Sequence, residues 1–227
     1  MWRTSPAGQA VGMKLAALAA ATLSALALAT GTAAADPLPT FDFSDCPALP
    51  SGANPAEWRC ETFISQGTLS FGKVNRLSLG EIRMTFAEGK LDGKFAQVFS
   101  TLKHAPAPVP QLPGTTIQLH YGGYSDFEST EERKGELDLY ATLRGPLVPG
   151  GATVGSLEHP IHSVVQQVGK TEVLSANPLV VKFSVIDETM ALPAARGPFP
   201  WLANHALGLP SKAVFEQTSY VGFKPYA

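Results

Sequence analysis

Alternation of apolar and polar residues with a period of two recurs along this chain. It restricts the fold more than any other pattern, because only an extended strand places successive side chains on opposite faces. Ile82, Met84 and Phe86 interleave with Glu81, Arg83 and Thr85, and Ile117, Leu119 and Tyr121 interleave with Thr116, Gln118 and His120. Leu137, Leu139, Ala141 and Leu143 alternate with Glu136, Asp138, Tyr140, Thr142 and Arg144; Leu179, Val181, Phe183 and Val185 alternate with Val180, Lys182, Ser184 and Ile186. Less regular strand candidates are Thr62 to Phe71, Lys94 to Leu102, Ile161 to Val168 and Val214 to Phe223. One-sided patterns of this kind suit antiparallel sheets with one face on a core and the other in water. A charged fraction of 16%, with 21 Gly and 19 Pro, argues for many turns and against a helical bundle. The expected fold is all-β, an antiparallel β-sandwich with one short helix near the C-terminus.

That helix is expected after Gly197, where Pro200 suits a first turn, Gly208 a C-terminal cap, and Pro210 prevents continuation. Leu202, Ala206 and Leu209 are expected on one face, with Trp201 and His205 adjacent at i and i+4. The helix reads as a plug at one end of the sandwich; the alternative is an exposed apolar contact formed by Phe199, Trp201 and Leu202.

At an offset of 97 residues the chain shows a faint self-similarity. Glu61 meets Glu158, Ile64 meets Ile161, Gly72-Lys73 meets Gly169-Lys170, Leu77-Ser78 meets Leu174-Ser175, and Phe86 meets Phe183. A duplication would give related β modules over residues 60–121 and 136–186, each a strand, a Gly-Lys turn and a second strand.

The first 35 residues read as an export signal. Arg3 and Lys14 supply the positive region, Leu15 to Ala29 is uncharged and apolar, and Ala33-Ala34-Ala35 places a cleavage site before Asp36. The apolar stretch is shorter than the roughly 20 residues that span a hydrocarbon core, so a retained anchor is the weaker reading. Export gives three segments: the signal over 1–35, an N-terminal loop segment over 36–60, and the β domain over 61–227. Cys46 and Cys60 are the only cysteines. In an oxidising compartment they are expected to form a disulfide closing a Pro- and Gly-rich loop, since thirteen intervening residues are unlike a redox-active pair and two thiols alone do not make a zinc site.

Without Arg3 and Lys14 the chain carries 15 Lys and Arg against 19 Asp and Glu. Such a balance offers no block of positive charge for phosphates, so nucleic acid and anionic membrane surfaces are not expected as partners. No transmembrane segment is expected after signal cleavage, and no cofactor motif is present. His159 and His162 are the only close histidine pair; with Pro160 between them and no further ligands nearby, no metal site is expected.

Acidic residues gather at Glu128, Glu131, Glu132, Glu136 and Asp138. Glu136 and Asp138, beside Tyr140 on one strand face, are the candidates for paired-carboxylate hydrolysis of a glycoside. The other reading of these acids, and of Asp187-Glu188, is a solvated surface. Gly-x-Ser-x-Gly elbows and phosphate-cradling loops are absent; Gly122-Gly123 and Gly150-Gly151 read as tight turns.

Cys46-Pro47 through Trp58-Arg59-Cys60, Met84-Thr85-Phe86-Ala87-Glu88-Gly89, and Leu207-Gly208-Leu209-Pro210-Ser211 before a strand containing Tyr220 resemble the uncharacterised secreted proteins common in actinobacteria. The resemblance implies export and an all-β body and brings no activity or site residue. Many proteins of this kind carry a second cysteine pair in the C-terminal half; its lack here implies that Ala195 to Pro198 is held by packing alone.

Three functions are expected in order. The first is a non-catalytic protein, secreted or associated with the cell wall, binding an envelope glycan, lipid or protein. Its surface would join the Gly122 to Lys134 loop, including Tyr124 and Phe127, to the helix with Trp201 and His205. The second is a hydrolase of envelope carbohydrate using Glu136 and Asp138. The third is a carrier of an apolar ligand, which requires a cavity between sheets lined by residues such as Phe86, Phe95, Phe99 and Phe183.

Overall fold

A computed structural model describes residues 38–130 and 133–226. The export signal, Glu131 and Glu132 lie outside the described residues. Over Leu38–Ala227 the chain forms one unit whose strands are β1 (Arg59–Phe71), β2 (Val74–Leu91), β3 (Lys94–His104), β4 (Ala107–Pro108), β5 (Thr116–Asp126), β6 (Gly135–Gly145), β7 (Val148–Val154), β8 (Ile161–Ala176), β9 (Leu179–Asp187), β10 (Ala191–Leu192) and β11 (Ser211–Pro225), with one helix, α1 (Pro200–Leu207), before β11. All pairs are antiparallel, in the order β3-β2-β1-β11-β9-β8-β6-β5-β4, with β7 beside β6 and β10 beside β11. The all-β expectation holds, and every strand candidate falls inside one of these strands.

The two layers are continuous because β8 changes partners. Its residues Ile161 to Val165 pair with β6 and Gln166 to Ala176 pair with β9. The corner is pinned by Asp187, whose buried carboxylate accepts from Ser163 Oγ, the Val164 N–H, Thr189 N–H and Oγ1, and the Met190 N–H. Asp187 is therefore not the solvated residue expected from its sequence; Glu188 is exposed. Across the sheet, β3 meets β5 through side chains. The Leu119 N–H donates to Nδ1 of buried His104 at 2.9 Å, His104 Nε2 donates to the Leu79 carbonyl, Gln118 donates to the His104 carbonyl, and Phe99 stacks on Tyr121 at 3.8 Å. The sheet thus curls almost into a barrel.

One half of the interior is filled. Leu69, Phe71, Leu77, Leu79, Leu119, Leu143 and Phe215 pack with Leu207 of α1. Gly208 at φ 73° caps the helix, and Gly72, at φ 49°, lies so close to the Leu207 carbonyl that a Cβ there would collide with it. The Lys73 N–H donates to that same carbonyl at 2.9 Å. The helix plugs this end as expected, but its buried residues are Ala203 and Leu207, while Leu202 and Ala206 are half-buried and Trp201 and His205 are exposed.

Three local expectations are corrected. Gly72-Lys73 joins β1 to β2, whereas Gly169-Lys170 sits inside β8 at a register shift and the β8–β9 turn falls at Asn177-Pro178. The two proposed modules do not share their turn in that register. Gly122-Gly123 and Gly150-Gly151 lie within β5 and β7, where the ladder shifts register, and the hairpin after β6 turns at Pro146-Leu147. Ala195 is held by hydrogen bonds as well as packing, since Asn204 Oδ1 accepts from its N–H and Asn204 Nδ2 donates to its carbonyl.

The N-terminal segment is bound to the outside of β1 and β11. Cys46 and Cys60 form the expected disulfide, the Phe41 ring covers Gly222, Tyr226 donates to the Pro47 carbonyl, and buried Trp58 lies against Gly89 while donating to the Lys90 carbonyl.

Candidate ligand-binding cavity

The half of the interior away from α1 is hollow. Pairing register places Arg59 opposite Glu88, Glu61 opposite Phe86 and Phe223, Phe63 opposite Met84 and Val221, and Ser219 opposite Phe183. Alternation directs this set to the concave face. Together with Leu137, Leu139 and Val165 from the facing layer they surround a cavity of about 530 Å³, within the roughly 300–1,000 Å³ usual for small-molecule sites. Phe63, Phe183, Val181 and Leu137 point inward yet remain only half-buried, as a lining around open space requires.

Of the seven phenylalanines that line the cavity, four form a contiguous cluster of rings. Phe127 lies 4.6 Å from Phe86 and 6.5 Å from Phe63, and Phe63 lies 5.5 Å from Phe86 and 5.9 Å from Phe183, all between ring centroids. Phe127 reaches the wall because its N–H donates to Gln97 Oε1 of β3 at 2.9 Å, which draws the loop after β5 over the cavity. Gln217 donates to Ser219 Oγ, itself 2.9 Å from Ser65 Oγ, which adds a short polar strip among the apolar side chains.

Polar chemistry is concentrated near the β2–β3 turn. Arg59 donates through Nε to Glu61 and through Nη2 to Glu88, both at 2.6 Å. The Glu61 side chain is 7% exposed, that of Glu88 is 16% exposed, and Arg59 is half exposed with its guanidinium 4.9 Å above the Phe223 ring. Burial, and next the Glu88 carboxylate beside it, push Glu61 from its ordinary 4.5 up to about 8 against the lowering pull of Arg59. Near neutral pH Glu61 is a protonated acid able to donate a hydrogen bond.

The expected site residues divide between different places. Phe127 lines the cavity, as do Phe86, Phe95 and Phe183, whereas Phe99 is committed to Tyr121 at the β3–β5 seam. Tyr124 is turned outward by the bulge at Gly122, where a Cβ would come within 2.7 Å of the Asp138 backbone. Its hydroxyl donates to Glu136 at 2.7 Å, which raises the Tyr124 pKa. Glu136 borders the cavity, but its oxygens are engaged by Tyr124, Arg133 and His162; Asp138 is not among the lining residues and is hydrogen-bonded to His162 at 2.8 Å. These two carboxylates do not converge on the cavity. Trp201 and His205 sit elsewhere. Tyr124 lies near the end of β5 and Glu136 at the start of β6, whereas α1 packs on β7, which pairs with Ala141–Gly145 of β6, roughly 17–30 Å further along at the rise of a strand. The expected joint surface of loop and helix is therefore two separate surfaces. Among the described residues no group of three or more His, Cys, Asp or Glu is placed to hold a metal ion.

Arg59, Glu61, Glu88, Phe63 and Met84 were not singled out from sequence as site residues. The readable signal was charge on the apolar parity of a strand: Arg59 and Glu61 share a face with Phe63, just ahead of the expected strand start at Thr62. The chain matches no family model, no curated protein and no solved structure.

Proposed function

We propose that this is an exported, non-catalytic protein that holds a small apolar or amphipathic molecule inside its curled sheet. The observation that carries the reading is the 530 Å³ cavity, walled by Phe63, Phe86, Phe127 and Phe183 in a chain that leaves a void of only about 30 Å³ in the other half of the same interior. Releasing water from such walls favours an apolar occupant by about 25 cal/mol for each Å² covered. A lipid-class ligand thus becomes the preferred member of the glycan, lipid or protein set, and the apolar-carrier reading merges with the binding reading. The disulfide, and the lack of any helix among the described residues long and apolar enough to cross a membrane, are compatible with an extracellular location.

Titration with the uncharged fluorescent probe N-phenyl-1-naphthylamine tests this. Saturable binding at one site per chain is expected, with about a tenfold or greater loss in Val181→Trp, whose indole projects into the cavity and takes space from the probe. Equal binding by a folded Val181→Trp protein would place the probe elsewhere and contradict the reading.

A further inference from the structure

We propose that the ligand carries a cationic head group, an amine or quaternary ammonium, and that Glu61 and Glu88 receive it at the mouth of the cavity. This rests on the cavity reading above and names the chemistry of its occupant. Two carboxylates converge there on one guanidinium, so once Glu61 is ionised the trio carries one negative charge in excess, which repels an anion and which a bound cation neutralises. Aromatic faces stand beside the acids: Phe86 and Phe223 are the cross-strand neighbours of Glu61, and Arg59 above Phe223 is a cation held on such a face within the chain itself. Acid and ring together form the environment that stabilises a partly desolvated ammonium.

Charged groups facing Glu61 are Arg59 on its own strand and Glu88 on β2. Gln97 of β3 reaches Glu88, and Glu128 and Lys134 of the covering loop border the cavity with opposite signs. Because burial keeps Glu61 protonated near neutrality, a cationic ligand displaces that proton, and affinity rises with pH until Glu61 is ionised without ligand.

The test compares decyltrimethylammonium, decanol and decanoate, below their micellar concentrations, by competition with the naphthylamine probe at about pH 6 and about pH 8.5. The quaternary ammonium does not titrate, so any pH dependence of its binding belongs to the protein. It is expected to bind about tenfold tighter than decanoate, and about tenfold tighter at the higher pH than at the lower. Glu61→Gln, an isosteric change, should abolish that pH dependence while decanol binding persists. Glu88→Gln supplies the second variant and should weaken the ammonium alone. Preference for decanoate or decanol, or a pH dependence unchanged in Glu61→Gln, overturns the head-group assignment and leaves the cavity standing. Displacement of the probe by none of the three overturns the cavity reading itself.

Discussion

Glu61 and His104 are both buried titratable residues, and they bend the pH dependence of stability in opposite directions. Glu61 has a folded pKa raised to about 8 from 4.5, so its contribution is complete below about 4.5 and is lost as pH rises through 8. Burial lowers the pKa of His104, which is locked between the Leu119 N–H and the Leu79 carbonyl. Its contribution is complete above the ordinary value near 6.5 and is lost as pH falls below it. Between about pH 6.5 and 8.5 the Glu61 effect is therefore isolated. Urea denaturation should show the wild type losing on the order of 1–3 kcal/mol across that interval and Glu61→Gln losing much less. Equal losses in both proteins would remove Glu61 as the cause. Neither residue stood out in the sequence, because a titratable group on the inner face of a strand shows only once the strand's bounds are known, and Glu61 precedes the expected start of β1 while His104 follows the expected end of β3.

At the scale of elements, strand periodicity was legible throughout, since alternation survives wherever one face is covered. Glycine pairs were not. A Gly with positive φ serves a hairpin turn and a bulge alike, so Gly122-Gly123 and Gly150-Gly151 looked like turns and proved to be register shifts inside β5 and β7. Helix α1 was readable from Pro200 and Gly208, but its buried face followed the packing partner at the β1–β2 turn. There, Gly72→Ala should destabilise by about 2–4 kcal/mol, because it combines a left-handed backbone with a collision against the Leu207 carbonyl. A thermal scan checks this, and an unchanged midpoint would mean that α1 does not depend on that approach. The N-terminal segment hangs on the Cys46–Cys60 bridge, which closes a loop with a sequence separation of 14. Reduction should lower stability by about 3 kcal/mol in urea; a much smaller loss would show that Phe41, Trp58 and Tyr226 hold the segment unaided.

At the largest scale, the described unit from Leu38 onward forms a curled antiparallel sheet plugged at one end and hollow at the other. Local pattern conveyed the sheet, the plug and the bridge. Whether the inward residues of β1, β2, β9 and β11 meet across the interior depends on curvature, which arises from the β8 partner switch at Asp187 and the side-chain seam at His104. Both are long-range arrangements that no local pattern displays. The hollow half is where function is assigned, and it can be examined directly by diffraction from crystals soaked in 1-bromodecane. An anomalous bromine peak inside the cavity, among Phe63, Phe86 and Phe183, is the predicted result. Bromine confined to the outer surface, with those rings collapsed into the space between them, would contradict the account.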